Sequence, residues 1–455
     1  MAKASAAASG PDIAPMRLDA ETYRANFSDI HPPLERKTAL VEANRCYFCY
    51  DAPCIEACPT GIDIPGFIKQ IATDNVEGSG RRILEANIFG GACARVCPTE
   101  ILCEQACVRM AQEGKPVQIG RLQRYATDPV LAAQPHPFRR GPRSGKKVAV
   151  IGGGPAGLSC AHRLALRGHD VVVFEARERL GGLNEYGVAE YKVAGHFARA
   201  EVDFILGIGG IEIRTGQALG RNLSLATLRN DYDAVFLGMG LAGVRALDCP
   251  GEELSGVHNA VDFIAELRQA EDFARLPVGR RIVVIGGGNT AIDIAVQIKR
   301  LGAEDVTLVY RRGPEAMSAT AHEQEFAQTN GVKIKHWAKP VRLEGQQGHV
   351  AAAVFEYTRS EGGRLAGTGE TFALPADMVF KAIGQLFVAD PVRANGRELL
   401  ELHDGRIRVD GERKTSLDRV WAGGDCVAGG QDLTVQAVQD GKVAAEAIDR
   451  ALSLA

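Results

Sequence analysis

From residue 146 onward the chain alternates short apolar runs with glycine turns and helical stretches. The run "KVAVIG" (147–152) predicts a buried strand, "AGLSCAHRLALRGH" (156–169) a helix, and "DVVVFE" (170–175) a second strand. The succession returns in "RRIVVIGGGNTAIDIAVQIKRLGAEDVTLVYRR" (280–312), so the chain contains two βαβ units. Further strands are expected in "DAVFLGMG" (233–240), "DMVFKAIGQ" (377–385) and "RVWAGGD" (419–425). A helix should follow from Thr434 to Ala451, with Val435, Val438, Val443, Ala447 and Ile448 at apolar positions. The order predicts an α/β fold with one Rossmann-like dinucleotide-binding domain nested inside another.

The upstream pattern differs. Residues 1–33 read as a flexible arm, and "LERKTALVEANR" (34–45) has helical spacing at the start of an α-helical domain over 34–130. The Pro-, Gly- and Arg-rich stretch "DPVLAAQPHPFRRGPRSGKK" (128–147) reads as a linker, bounded at 131–145. The outer nucleotide domain is expected at 146–262 and 384–455, and the inserted one at 263–383.

At 455 residues the chain is too long for one core. A net charge of −3 supplies no field to recruit nucleic acid or an anionic membrane. No run reaches the roughly 18 apolar residues of a membrane span, and the N-terminus lacks the apolar core of a secretory signal. A cytoplasmic protein is expected. The 52 glycines exceed average usage, and two glycine loops account for the important ones.

The first loop is Gly152-x-Gly154-x-x-Gly157, between strand and helix, with Glu175 ending the second strand. Gly152 permits the turn, Gly154 lets backbone approach a pyrophosphate at the helix N-terminus, Gly157 allows close packing, and Glu175 can hold a ribose. The second loop is Gly286-x-Gly288-x-x-Ala291, and its second strand ends in Arg311 and Arg312 instead of an acid. Arginine welcomes a 2'-phosphate, which favours NADP(H) over NAD(H). Late in the chain "WAGGDC" (421–426) supplies Asp425 and the start of a helix, the element that closes over the flavin in flavoenzymes with two dinucleotide domains. The first loop is therefore expected to take FAD and the second the nicotinamide. Hydride transfer between them needs positioning more than an acid or base, so no catalytic residue is expected. A disulfide-reductase chemistry would need a cysteine pair beside the flavin, and Cys160, Cys249 and Cys426 each stand alone.

The other eight of the eleven cysteines lie between Cys46 and Cys107. The first block is C-x2-C-x4-C-x3-C-P (Cys46, Cys49, Cys54, Cys58) and the second C-x3-C-P-x4-C-x3-C (Cys93, Cys97, Cys103, Cys107). Zinc sites usually show paired CxxC knuckles or histidines, and disulfides do not suit a reducing compartment. A "CP" step after C-x3-C echoes ferredoxins, and eight cysteines match two four-iron clusters.

The segments "CYFCYDAPCIEACPTGIDIPGFI", "ANIFGGACARVCPTEILCEQAC", "IGRLQRYATD", "GGGPAGL", "GGGNTAID" and "AGGDC", in that order, resemble the N-terminal half of dihydropyrimidine dehydrogenase and its bacterial NAD(P)H-oxidising subunit. More distantly, the chain resembles the small subunit of glutamate synthase. The resemblance covers nearly everything from Leu34 onward. It implies one 4Fe-4S cluster on Cys46, Cys49, Cys54 and Cys107, and another on Cys58, Cys97, Cys103 and Gln123, leaving Cys93 a non-ligand. The glutamate synthase branch places a glutamate at the position of Gln123. For the flavin it implies Gly152, Gly153, Gly154, Pro155, Ala156, Gly157, Glu175, Gly182, Leu183, Lys192, Gly424, Asp425 and Thr434. For the nicotinamide it implies Gly288, Asn289, Thr290, Arg311, Arg312 and Gly384, beside the Gly286 and Ala291 of the loop. NADPH-specific relatives carry another basic residue after the arginine pair where this chain reads "GPEAMSAT", so both nicotinamides stay open.

The resemblance implies an electron-input subunit: NAD(P)H to FAD, then through two 4Fe-4S clusters to the FMN of a partner chain that reduces uracil or thymine. Full-length dihydropyrimidine dehydrogenase carries its FMN barrel beyond this region, so a hetero-oligomer with a separate catalytic subunit is expected. A glutamate synthase small subunit, a general diaphorase and a zinc scaffold are the rival readings.

Overall fold

The computed structural model describes residues 18–133, 135–394, 397–398 and 400–454. The chain divides into two compact units. Among the described residues, one comprises 29–185, 195–243 and those from 386 to 454, the other 18–28, 186–194 and 244–385.

The first unit opens with helices that carry the cysteine blocks. Asp63 caps Ile64–Ala72 by accepting from Gly66 N (3.0 Å), and Asn75 caps Val76–Ala86 through Gly78 N (3.0 Å). Ile64, Phe67, Ile68 and Ile71 bury one face against Ile83 and against Leu122 and Ala126 of helix Ile119–Ala132. Cys46, Cys54, Cys58, Cys103 and Cys107 pack, partly buried, against this core.

The same unit holds a five-stranded parallel sheet in the spatial order Val420–Ala422, Ala234–Leu237, Lys147–Ile151, Asp170–Phe174, Ile211–Arg214. Its central strands are buried on both faces, which explains their unbroken apolar runs. Strand Val420–Ala422 comes from the far end of the chain, as nesting requires. The linker lies along this sheet's helix layer, with Gly141 N bonded to Leu166 O (3.0 Å) and Arg140 paired with Asp170 (2.5 Å).

The second unit contains another parallel sheet, ordered Val257–Asn259, Met378–Ala382, Arg281–Gly286, Asp305–Val309, Val332–Lys335. An antiparallel meander, Ala338–Gln346, His349–Glu361 and Arg364–Pro375, accompanies it.

Two expected boundaries move. Val257 pairs with Val379, so the inserted unit begins at residue 244 instead of 263. Part of the expected arm is a helix, Ala20–Asn26, capped by Asp19 and docked within the second unit. Phe27 packs on Phe273 (4.5 Å between rings), and Asn26 Nδ2 donates to Arg300 O (2.7 Å). The rest of that arm, residues 1–17, lies outside the described residues. No described helix is long and apolar enough to cross a membrane.

Candidate functional site

The first glycine loop is built to leave room at a helix N-terminus. Gly152 sits at φ +100°, and a Cβ on Gly157 would lie 1.9 Å from Gly152 O. Gly154 is the N-cap of Pro155–Leu166, whose first N–H groups have no intrahelical partner. Glu175 Oε2 accepts from Gly153 N (2.7 Å) and Oε1 from Arg177 N (2.8 Å), so the acid at the second strand's end is locked to the loop. Gly182, at φ +55°, lies against Gly154, with Leu183 exposed beside it.

The late element joins the same place. A Cβ on Gly424 would stand 3.0 Å from that of Ala156, and Gly424 N donates to Asp440 Oδ2 (2.9 Å). Thr434 Oγ1 is bonded to Asn184 Oδ1 (3.0 Å). Asn184 is 1% exposed, yet its Nδ2 has no partner among the described residues. Burial, reinforced by Asp432 and opposed by Arg406, raises the Asp425 carboxyl to about 6. A glycine cradle, an unspent helix N-terminus and an orphaned buried amide donor fit a bound dinucleotide. Asn184 and Asp440 carry no local sequence signal, because each acts through a distant partner.

In the second unit Gly288 is the N-cap of Asn289–Arg300, with Ala291 buried in the first turn. Gly286, at φ +153°, faces Ala382 O, and the Tyr310 ring covers Gly287. Arg311 and Arg312 are exposed beyond strand Asp305–Val309. Arg311 is held through its backbone by Thr358 Oγ1 (2.7 Å). Gly384, at φ +105°, accepts from Arg245 N (3.2 Å). Lys192, expected with the flavin, belongs to this unit, where its Nζ meets Asp293 Oδ1 (2.8 Å) and Glu323 Oε1 (2.7 Å). Burial alone would lower its pKa, and the two carboxylates hold it above the ordinary lysine range.

The eight clustered cysteines are free thiols. Their mutual influence sorts them. Burial raises Cys46, with Cys107 and Cys49 adding to it, while burial, then Cys46, Cys107 and Cys49, push Cys54 to about 12. Cys103 is raised by burial, by Glu104 and by Cys58, with a smaller effect from Cys54. Cys97 is raised by a hydrogen bond with Cys93, by burial, and by Cys103 and Cys58. These influences link Cys46 and Cys54 with Cys107 and Cys49, and Cys97 and Cys103 with Cys58, with Cys93 acting on Cys97 and Cys54 on Cys103. Among the described residues no three Cys, His, Asp or Glu side chains converge as a single metal ion requires. Several cysteines gathered in one helical lobe suit a cationic multi-iron core that accepts several thiolates. Gln123 is buried and donates Nε2 to Gly90 O (2.7 Å), which leaves Oε1 as the unspent end of the amide.

Residues 23–134 match the family model described as dihydropyrimidine dehydrogenase domain II, 4Fe-4S cluster. Residues 146–441 match pyridine nucleotide-disulphide oxidoreductase. The chain belongs to that oxidoreductase family. It is 34% identical to the NAD-dependent dihydropyrimidine dehydrogenase subunit PreT of Escherichia coli O157:H7, over 93% of this chain and 96% of that one. It is also 32% identical to the glutamate synthase [NADPH] small chain of Escherichia coli K12, over 96% of each. Mycobacterium tuberculosis FprA in complex with NADPH shares the fold, with a TM-score of 0.57 and 21% identity over 68% of this chain and 85% of that one. The chain is therefore an NAD(P)H-dependent oxidoreductase whose family membership implies FAD and a 4Fe-4S centre. Despite the family's name, two of its three thiols outside the cysteine blocks, Cys160 and Cys426, are poorly suited to disulfide exchange. Cys160 is fully buried, and burial pushes Cys426 to about 12.

Proposed function

We propose that this chain is the electron-input subunit of a dihydropyrimidine dehydrogenase. The observation that carries the reading is that one compact unit contains both the first glycine loop and the two interleaved thiol groups. When bound, the flavin accepts a hydride from NAD(P)H, and the iron-sulfur centres carry the electrons onward one at a time.

The residues would divide the work as follows. Gly152, Gly153, Gly154, Pro155, Ala156 and Gly157 hold the FAD pyrophosphate at a helix N-terminus, with Glu175 at the ribose. Gly182, Leu183, Asn184, Gly424, Asp425 and Thr434 border the rest of it. Gly286, Gly288, Asn289, Thr290, Ala291 and Gly384 take the nicotinamide dinucleotide, and Arg311 and Arg312 meet a 2'-phosphate where one is present. Lys192, fixed by Asp293 and Glu323, is a positioned cation between two carboxylates. One cluster rests on Cys46, Cys49, Cys54 and Cys107, the other on Cys58, Cys97, Cys103 and Gln123. The recipient is an FMN-containing catalytic subunit that reduces the 5,6 double bond of uracil or thymine.

Flavin and iron analysis of the purified chain, with anaerobic bleaching by NADH or NADPH, tests the input half. A chain that bleaches only in its flavin absorption would remove the clusters from the path. A glutamate synthase small chain is the second reading, favoured by nearly equal identity to that relative. Gln123 speaks against it, since that branch resembles this chain with an acid there.

A further inference from the structure

The last helix, Thr434–Ser453, runs from the flavin-side residues to the cysteine lobe within the same unit. Its Gly441 packs directly on the first loop's helix, where a Cβ would lie 2.1 Å from Ala156 O. One residue later Lys442 enters the cysteine lobe. Its Nζ donates to Thr60 O (2.8 Å) and Ala86 O (3.1 Å). Thr60 Oγ1 in turn lies 3.3 Å from Cys58 Sγ. Thr434 and Lys442 are separated by about 12 Å of helix, so one rigid element links the flavin-side hydroxyl to the turn that carries Cys58.

We propose that Lys442 sets the reduction potential of the iron-sulfur cluster held by Cys58, its ammonium favouring the more negative, reduced state. The inference rests on the iron-sulfur assignment of Cys58 made above. Cluster potentials follow net charge, burial and hydrogen bonding around the sulfurs, and a half-buried cation is screened less than an exposed one. Burial and then Arg163 oppose the charge on Lys442, while Glu446, one helical turn away, and Cys58 support it. Glu446 therefore partly offsets the field that Lys442 projects. A purely structural stitch between Thr60 and Ala86 would instead depend on donors and not on charge.

The test is an EPR-monitored redox titration of the iron-loaded full chain, comparing wild type with Lys442→Arg, Lys442→Gln and Glu446→Gln. Lys442→Gln keeps an N–H donor and loses the charge. It should lower one midpoint by a tenfold change in the reduction equilibrium, about 59 mV for a one-electron couple, while Lys442→Arg stays at the wild-type value. Glu446→Gln should move the same midpoint upward. Unmoved midpoints in both neutral variants would overturn the proposal, and if Lys442→Gln fails to retain iron, Glu446→Gln alone decides. A wild-type chain without iron would fail differently, by removing the cluster assignment itself.

Discussion

Glu175 Oε2 and Gly153 N are joined by a 2.7 Å hydrogen bond that ties the end of the second strand to the first glycine loop. The acid is thus poised at the loop before any ligand arrives. Glu175→Ala should yield a folded chain with less than a tenth of the wild-type FAD, and Glu175→Gln an intermediate content, by absorbance after gel filtration. Full flavin content in Glu175→Ala would remove Glu175 from the site. Gly157→Ala should be worse than either, because the new methyl would lie 1.9 Å from Gly152 O and the loop has to shift.

Cys93 and Cys97 are four residues apart, with Cys97 N donating to Cys93 O (3.0 Å), yet they should behave differently. Cys93 is packed in an apolar cluster with Leu84, Phe89 and Leu158. Iron analysis of Cys93→Ala should give about eight irons per chain, and of Cys97→Ala about half of that. Equal losses would mean that Cys93 is a ligand after all.

On the proposed assignment, the two arginines after strand Asp305–Val309 meet the 2'-phosphate and so set nicotinamide choice. The double variant Arg311→Gln, Arg312→Gln should raise KM for NADPH by about tenfold or more, the value of one or two charged hydrogen bonds, and change KM for NADH by less than about twofold. Steady-state kinetics with an artificial acceptor give both. Equal effects on the two nucleotides would assign the pair a solvated, structural role.

Asp425 makes the stability of the flavin-free chain depend on pH. Its folded pKa of about 6 lies above the ordinary 3.8, so the native state holds a proton that the unfolded state has released. Stability associated with this group is present below about pH 4 and is lost as pH rises through 6. Asp425→Asn should therefore have a higher urea midpoint than wild type at pH 7.5 and converge with it near pH 4, while binding FAD more weakly. A difference independent of pH would contradict this.

Local features were legible in the sequence where chemistry and geometry sit in one short segment. The stretch from Gly152 to Gly157, Glu175 and the cysteine blocks are of that kind, because turn, helix start and acid recur at fixed offsets. Features made by distant partners were not. Asn184 reads as an ordinary polar residue until Thr434 lies beside it, and Asp440 as a helix-surface acid until Gly424 N and Arg413 point at it. The boundary at residue 244 depends on a three-residue strand, Val257–Asn259, too short to show periodicity. Helix Ala20–Asn26 was hidden for a similar reason, since its anchors Tyr23 and Phe27 gain meaning only against Phe273. The meander from residue 338 to 375 has strands with few buried positions in regular alternation.

The most direct test of the central claim pairs the purified chain with an FMN-containing dihydropyrimidine dehydrogenase subunit and follows NADH and NADPH oxidation. The account predicts turnover with uracil or thymine that requires both chains. Turnover only with a glutamate synthase large subunit, glutamine and 2-oxoglutarate would contradict it.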